Sequence, residues 1–149
     1  MAYDKPMVLR LATITDADAI VAFDHVVAFE SARVEFIHDQ INSSACYVAV
    51  IDAKVVAYGV LNYKFYDNGW IEMLYVHPQF RRQGIGSALI RHLIDQCRTP
   101  KLFTSTNQSN VPMQHLLATL KFDRSGFIEN LDEGDPELVY FKRLHDNVT

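Results

Sequence analysis

The sequence predicts a mixed α/β fold, a central and mostly antiparallel sheet flanked by helices. Three observations carry that prediction. Apolar, strand-like runs at 46–51, 55–65 and 70–76 follow one another with only short turns between them, as in a meander. The third run enters a basic, glycine-bearing loop that opens a helix near residue 86. A strand, a helix and two further strand-like runs complete the chain, so helices and strands are distributed around one sheet.

Taken in order, residues 7–12 form a short apolar strand. Thr15-Asp16-Ala17-Asp18 reads as a helix start, with Thr15 as the cap and acids in the first turn, where the helix dipole favours them. Ile20, Val21, Phe23, Val27 and Ala28 follow at roughly helical spacing, and 32–41 is a second helix or a continuation of the first. Asp52-Ala53-Lys54 is a tight turn. Asp67-Asn68-Gly69 is a hairpin turn, because Asn and Gly accept the left-handed backbone such turns need. Leu89, Ile90, Leu93, Ile94 and Cys97 form a helical stripe that Pro100 ends. Residues 102–106 are a strand, and 110–120 a helix that tolerates Pro112 in its first turn. Phe127-Ile128 and residues 138–142 flank an acidic turn as a final hairpin.

The chain has 149 residues, 49% of them hydrophobic and 21% charged, which suits a single domain over 1–149 with a real core. A net charge of −4 offers no basic footprint for nucleic acid or an anionic membrane, so neither is expected as a partner. Cys46 and Cys97 show no CxxC spacing and read as small buried hydrophobes in a reducing compartment. Residues 1–10 lack a signal-peptide core, and no apolar run approaches the roughly 18 residues of a membrane span, so a cytoplasmic address is expected. The six histidines show no metal-ligand spacing, and no metal is expected.

The most informative segment is Leu74-Tyr75-Val76-His77-Pro78-Gln79-Phe80-Arg81-Arg82-Gln83-Gly84-Ile85-Gly86-Ser87. A strand runs into a turn whose backbone N–H groups can converge on phosphate oxygens at a helix start. Gly84 and Gly86 allow close backbone approach, and Arg81 and Arg82 supply forked donors suited to pyrophosphate. A nicotinamide fingerprint would need a small residue where Leu89 stands, and a Walker loop would end in Gly-Lys-Ser/Thr, which is absent.

The string Arg-x-x-Gly-x-Gly from Arg81 to Gly86 resembles the acetyl-CoA pyrophosphate loop of the GNAT superfamily, whose pattern is Gln/Arg-x-x-Gly-x-Gly/Ala. Leu74-Tyr75-Val76-His77-Pro78 resembles the superfamily's fourth strand. Asn110 followed by Leu116-Leu117-x-x-Leu120-Lys121-Phe122 resembles its Asn…Leu-Tyr-x-x-Leu-Gly-Phe helix. The element order matches from about residue 7 to 142, and residues 128–138 are similar to those of small bacterial members. The resemblance implies the GNAT acyl-CoA N-acyltransferase fold. It implies an enzyme that moves an acetyl group from acetyl-CoA to a primary amine by direct attack in a ternary complex. It places acetyl-CoA where the fourth and fifth strands splay. Leu74 and Val76 would hold the pantetheine arm through their backbone, and Arg81, Arg82, Gln83, Gly84, Ile85, Gly86 and Ser87 the pyrophosphate. Asn110 would meet the pantetheine. Sheet edges of small members often pair as homodimers.

An alkyl amine with a reference pKa of about 10.4 arrives protonated, so a base is required. Glu72 is the candidate, a lone carboxylate in an apolar strand that alternation places on one face with Trp70 and Leu74. The alternative is an outward-facing Glu on a half-exposed strand. Members with an assigned general acid carry Tyr where Leu117 stands, so that role does not transfer. His115 points away on the helix. Tyr140, or water, takes the acid's place, unless Tyr140 is a core residue. The acceptor is a small-molecule or peptide amine. Glu129, Asp132, Glu133, Asp135 and Glu137 favour a polycationic one, unless they are a solvated turn. Glu30, Arg33 and Glu35 lie where the first helices frame the acceptor, though a solvated face explains any one of them. The alternative function is a non-catalytic acyl-CoA-binding regulatory domain. Leu117 supports it and Glu72 opposes it.

Overall fold

The computed structural model describes residues 6–145. In chain order the elements are β1 (Met7–Leu11), α1 (Ala17–Phe23), α2 (Ala32–Asn42), β2 (Cys46–Ile51), β3 (Lys54–Phe65), β4 (Asn68–Val76), α3 (Ile85–Gln96), β5 (Lys101–Asn107), α4 (Val111–Thr119), β6 (Asp123–Ile128) and β7 (Glu137–Arg143). Short 3-10 turns occupy Ile14–Asp16, His25–Ala28 and Pro78–Phe80. The strands form a seven-stranded sheet in the order β1-β2-β3-β4-β5-β7-β6. β4 and β5 pair in parallel, while β1–β2, β2–β3, β5–β7 and β6–β7 are antiparallel. The predicted mixed, mostly antiparallel sheet with flanking helices is the observed one. No helix among the described residues is long and apolar enough to cross a membrane.

Two local expectations are corrected. Thr15 does not cap the first helix. The chain first makes the 3-10 turn Ile14–Asp16, where Asp16 Oδ2 accepts the Thr13 N–H at 2.7 Å, and α1 begins at Ala17. Arg10 holds the same carboxylate at 2.8 and 3.0 Å, and that partner pulls the Asp16 pKa below its ordinary value. The hairpin turn between β3 and β4 falls at Tyr66 and Asp67, both left-handed at φ 52 and 64°, with Asn68 and Gly69 already in β4. Asn68 Nδ2 instead closes the turn by donating to the Phe65 and Tyr66 carbonyls. Gly69 is small for packing: a Cβ there would lie 2.4 Å from Cys97 Sγ.

The described chain divides into two compact units. The first comprises the residues up to Leu61 together with Met73–Leu93, and the second Asn62–Glu72 with the residues from Ile94 onward. In the first, Ile20, Phe23, Ile37 and Ile41 of α1 and α2 pack on Cys46, Val48, Tyr58 and Val60. Ile85 and Leu89 of α3 pack on Ala49, Ile51, Val56 and Ala57. Asp24, 2% exposed, sits just after α1 and is fully engaged. It accepts from Arg33 Nε at 2.9 Å, from the Val26 N–H at 2.9 Å and from the Tyr58 hydroxyl. Arg33, expected on a solvated face, is therefore the counter-ion of a buried carboxylate.

In the second unit the segment between β6 and β7 is a built turn rather than a free acidic loop. Asp132 accepts from Asn107 Nδ2 at 2.9 Å, and Asp135 from the Ser109 N–H and hydroxyl at 2.9 and 2.6 Å. β6 is exposed along its length.

Replacing Arg33 by Ala leaves the Asp24 charge buried without its counter-ion. It is expected to destabilise the protein by about 3–5 kcal/mol in urea unfolding, with Arg33→Lys recovering part of the loss.

Candidate active site

The site begins in the backbone of β4. That strand pairs with β5 only at Gly69–Leu102, Trp70–Phe103 and Ile71–Thr104. Past Ile71 this edge of β4 has no ladder partner among the described residues, and its N–H and C=O groups are left for others. One partner is local. Arg81 Nε donates to the Val76 carbonyl at 3.1 Å while its guanidinium lies 5.2 Å over the Tyr75 ring. The Leu74 and Val76 side chains pack into the Ile85–Leu89 cluster, so these two residues present main chain rather than side chain.

After Val76 the Pro78–Phe80 turn is capped by His77, whose Nδ1 accepts the Gln79 N–H at 3.1 Å. The backbone then crosses two left-handed positions, Arg82 at φ 64° and Gly84 at φ 80°. Gly84 adopts this freely, whereas at Arg82 it costs on the order of 1 kcal/mol. The Gly84 carbonyl accepts the Ala88 N–H at 3.1 Å and so opens α3. The N–H groups of Ile85, Gly86 and Ser87 are the first-turn donors that an α-helix leaves without internal partners. The Ile85 side chain is 1% exposed in the core and contributes backbone alone. The Ser87 hydroxyl is held by Arg91 at 3.1 Å. Arg81 and Arg82 are exposed, and the shielded Gln83 Oε1 has no hydrogen-bond partner among the described residues. Orphan donors at a helix start and two guanidinium groups fit a phosphate-bearing ligand such as acetyl-CoA.

In the second unit, Glu72 is exposed and Oε1 accepts from Asn62 Nδ2 at 2.7 Å. Asn62 is 8% exposed and is itself fixed, its Oδ1 taking the Lys64 N–H at 3.1 Å. Sequence reasoning missed Asn62. The available signal was one amide inside the apolar 55–65 run. Tyr140 is 4% exposed on β7, under the Arg124 guanidinium at 5.6 Å, and its hydroxyl has no hydrogen-bond partner among the described residues. Asn110, expected to meet a ligand, is exposed. Its Oδ1 caps α4 by accepting the Met113 N–H at 3.2 Å, which leaves its amide NH₂ to donate elsewhere. Leu117, at the position of the family tyrosine, is wholly buried. Burial pushes the Cys46 thiol up to about 12, so it is no nucleophile. Glu30 and Glu35 are exposed.

The His77 pKa is pushed below its usual value, chiefly by burial and then by the neighbouring Lys54, His25 and Arg81 charges. The folded protein therefore favours the neutral ring that accepts the Gln79 N–H. This contribution is present above the unfolded value of about 6.5 and is lost as pH falls through it toward the lower folded value. Between pH 7.5 and 5.5 the urea midpoint of the wild type is expected to fall further than that of His77→Asn, which keeps a capping acceptor but does not titrate.

The acetyltransferase (GNAT) family model matches residues 14–122. An acetyltransferase of the GNAT family from Bacillus cereus is 33% identical, with a TM-score of 0.87 over 93% of this chain and 97% of its own. An acetyltransferase from Salmonella typhimurium, solved with its cofactor acetyl-CoA, shares the fold at 18% identity and a TM-score of 0.76, covering 96% of each chain. The human cysteine-rich protein 2-binding protein is 32% identical over 99 residues, which are 60% of this chain but only 12% of that protein's length. With its sheet order, its strand–loop–helix unit and its sequence all in agreement, this chain belongs to the acetyltransferase (GNAT) family.

Proposed function

We propose that the protein transfers an acetyl group from acetyl-CoA to a primary amine by direct attack in a ternary complex. The observation that carries this reading is the Arg81–Ser87 loop. Its orphan N–H groups and two arginines suit the pyrophosphate. The main chain of Leu74, with no ladder partner on this edge, suits an extended amide such as pantetheine, and Asn110 keeps an amide NH₂ free to donate.

Glu72 takes the proton of the incoming ammonium, directly or through water, and Asn62 holds the carboxylate in place. The freed amine attacks the thioester carbonyl, the C–N bond forms and the C–S bond breaks. The departing thiolate has a reference thiol pKa of about 8.5 and needs only modest help. The unpartnered Tyr140 hydroxyl is the donor assigned to it.

Acetyl-CoA at about 100 times its dissociation constant is expected to add about 2.7 kcal/mol of stability. Thermal melting reads this as a rise, and Gly84→Asp, which puts a side chain and a negative charge in the loop, removes it. A wild-type protein that does not respond to millimolar acetyl-CoA would refute the binding assignment. A domain that only bound the ligand would give the rise without releasing CoA thiol in the presence of any amine.

Glu72→Gln is expected to lower kcat by about 10² with the acetyl-CoA melting response unchanged. Tyr140→Phe is expected to lower kcat by about tenfold or more without lowering the melting temperature. If the Tyr140→Phe enzyme is fully active, the hydroxyl is only packing and water protonates the thiolate.

A further inference from the structure

One face of the second unit carries a row of half-exposed aromatic rings. Trp70 on β4 pairs with Phe103 on β5, and Phe103 pairs with Phe141 on β7, so the three share a face. Phe65 stacks flat on Trp70, with centroids 4.5 Å apart and 12° between the planes, and meets Phe103 at 5.0 Å. Phe103 meets Phe141 at 5.7 Å. The intervening residues of β7 point the other way, and Lys142 Nζ reaches the Leu120 carbonyl at the end of α4 at 3.0 Å. The row therefore faces away from α4.

The two ends of the row carry opposite charge. Two residues beyond Trp70 and Phe103 stand Glu72 and Ser105, and the Ser105 hydroxyl donates to Glu137 Oε2 at 2.6 Å. Two residues before Phe103 and after Phe141 stand Lys101 and Arg143, paired with each other across the strands. Carboxylates and cations thus lie on opposite sides of the rings, each about 7 Å away along a strand.

We propose that this face binds the acceptor, and that the acceptor is a primary arylalkylamine. The inference rests on the acetyl-transfer reading for the word acceptor. The ring of the amine lies on the aromatic row, and a short alkyl arm carries its ammonium to Glu72, with Glu137 adding to the negative field. A linear diamine or polyamine fits poorly, because its second ammonium runs toward Lys101 and Arg143. The acidic segment between β6 and β7 does not offset this, since Asp132 and Asp135 are engaged within the turn.

Trp70 is the only tryptophan in the chain, so its fluorescence reports on the row directly. Phenethylamine titrated into the protein is expected to change that emission saturably, and hexamethylenediamine is not. In acetyl-transfer assays, phenethylamine is expected to exceed hexylamine in kcat/KM by about tenfold, the worth of one good aromatic contact. Phe103→Ala abolishes that advantage. The double variant Lys101→Glu/Arg143→Glu raises kcat/KM for hexamethylenediamine several-fold more than it does for phenethylamine. Saturable phenethylamine binding without turnover of any amine would support this site while refuting acetyl transfer. Acetyl transfer to hexamethylenediamine at least as efficient as to phenethylamine, or an unresponsive Trp70, would overturn the inference and leave acetyl transfer standing. A dimer at micromolar concentration that Phe103→Ala dissolves would also overturn it, because a second copy would then own the face.

Discussion

The backbone of β4 is the constraint on which the rest of the site depends. Every buried main-chain N–H and C=O needs a partner, and a strand inside a sheet normally finds one on each side. β4 has β5 for three residues and then no ladder partner on that edge. Such an edge is tolerated only where something else satisfies it. Arg81 does so at Val76, and an amide-bearing ligand would do so for the remainder. The same strand then leads through His77 into a turn whose left-handed backbone at Arg82 and Gly84 starts α3 with its first N–H groups unpaired. Strand edge and helix start, a few residues apart in the chain, offer two kinds of unsatisfied backbone to one class of ligand.

Two polar side chains inside the units, Asp24 and Asn62, are held by local networks. Asp24 would be prohibitive in the first core were it not met by a guanidinium, a phenol and a backbone N–H drawn from three elements. Its network joins the end of α1 to α2 and to the middle of β3. Asn62 plays a smaller part in the second unit. It is pinned by the Lys64 N–H, so its amide presents a fixed donor to Glu72, which would otherwise sample several rotamers in solvent. A carboxylate oriented in this way is better placed to accept a proton along one direction than a free one. The aromatic row extends from Glu72, with rings on four neighbouring strands.

Much of this was legible in the chain because it depends on short-range pattern. Cys46–Ile51 was located to the residue by its apolar run, and α3 by its stripe and by Pro100. The course of the loop was legible because it is set by the backbone: glycine spacing after a strand marks where the left-handed turn opens α3. Turn positions were less legible. Asn68-Gly69 is the sequence that most favours a left-handed turn, yet Gly69 was placed by the close approach of Cys97, and the turn moved to Tyr66-Asp67. Steric contact between residues 28 positions apart overrode local preference.

By itself, then, the sequence determined the element order, the sheet class and a basic, glycine-bearing loop at a helix start, because each follows from periodicity or from glycine and charge spacing within about 20 residues. Only the tertiary structure decided what individual polar side chains do. Arg33 looked like one of several exposed charges and is the partner of a carboxylate nine residues earlier. Asp132 and Asp135 looked like a field for cations and are bonds that close a turn. Asn110, expected as a ligand contact, also caps a helix with its oxygen. Phe65, Trp70, Phe103 and Phe141 are spread along the sequence and form one surface. In every case the role is set by which strand or helix arrives opposite, and strand pairing between distant segments leaves no signature in the residues considered one at a time.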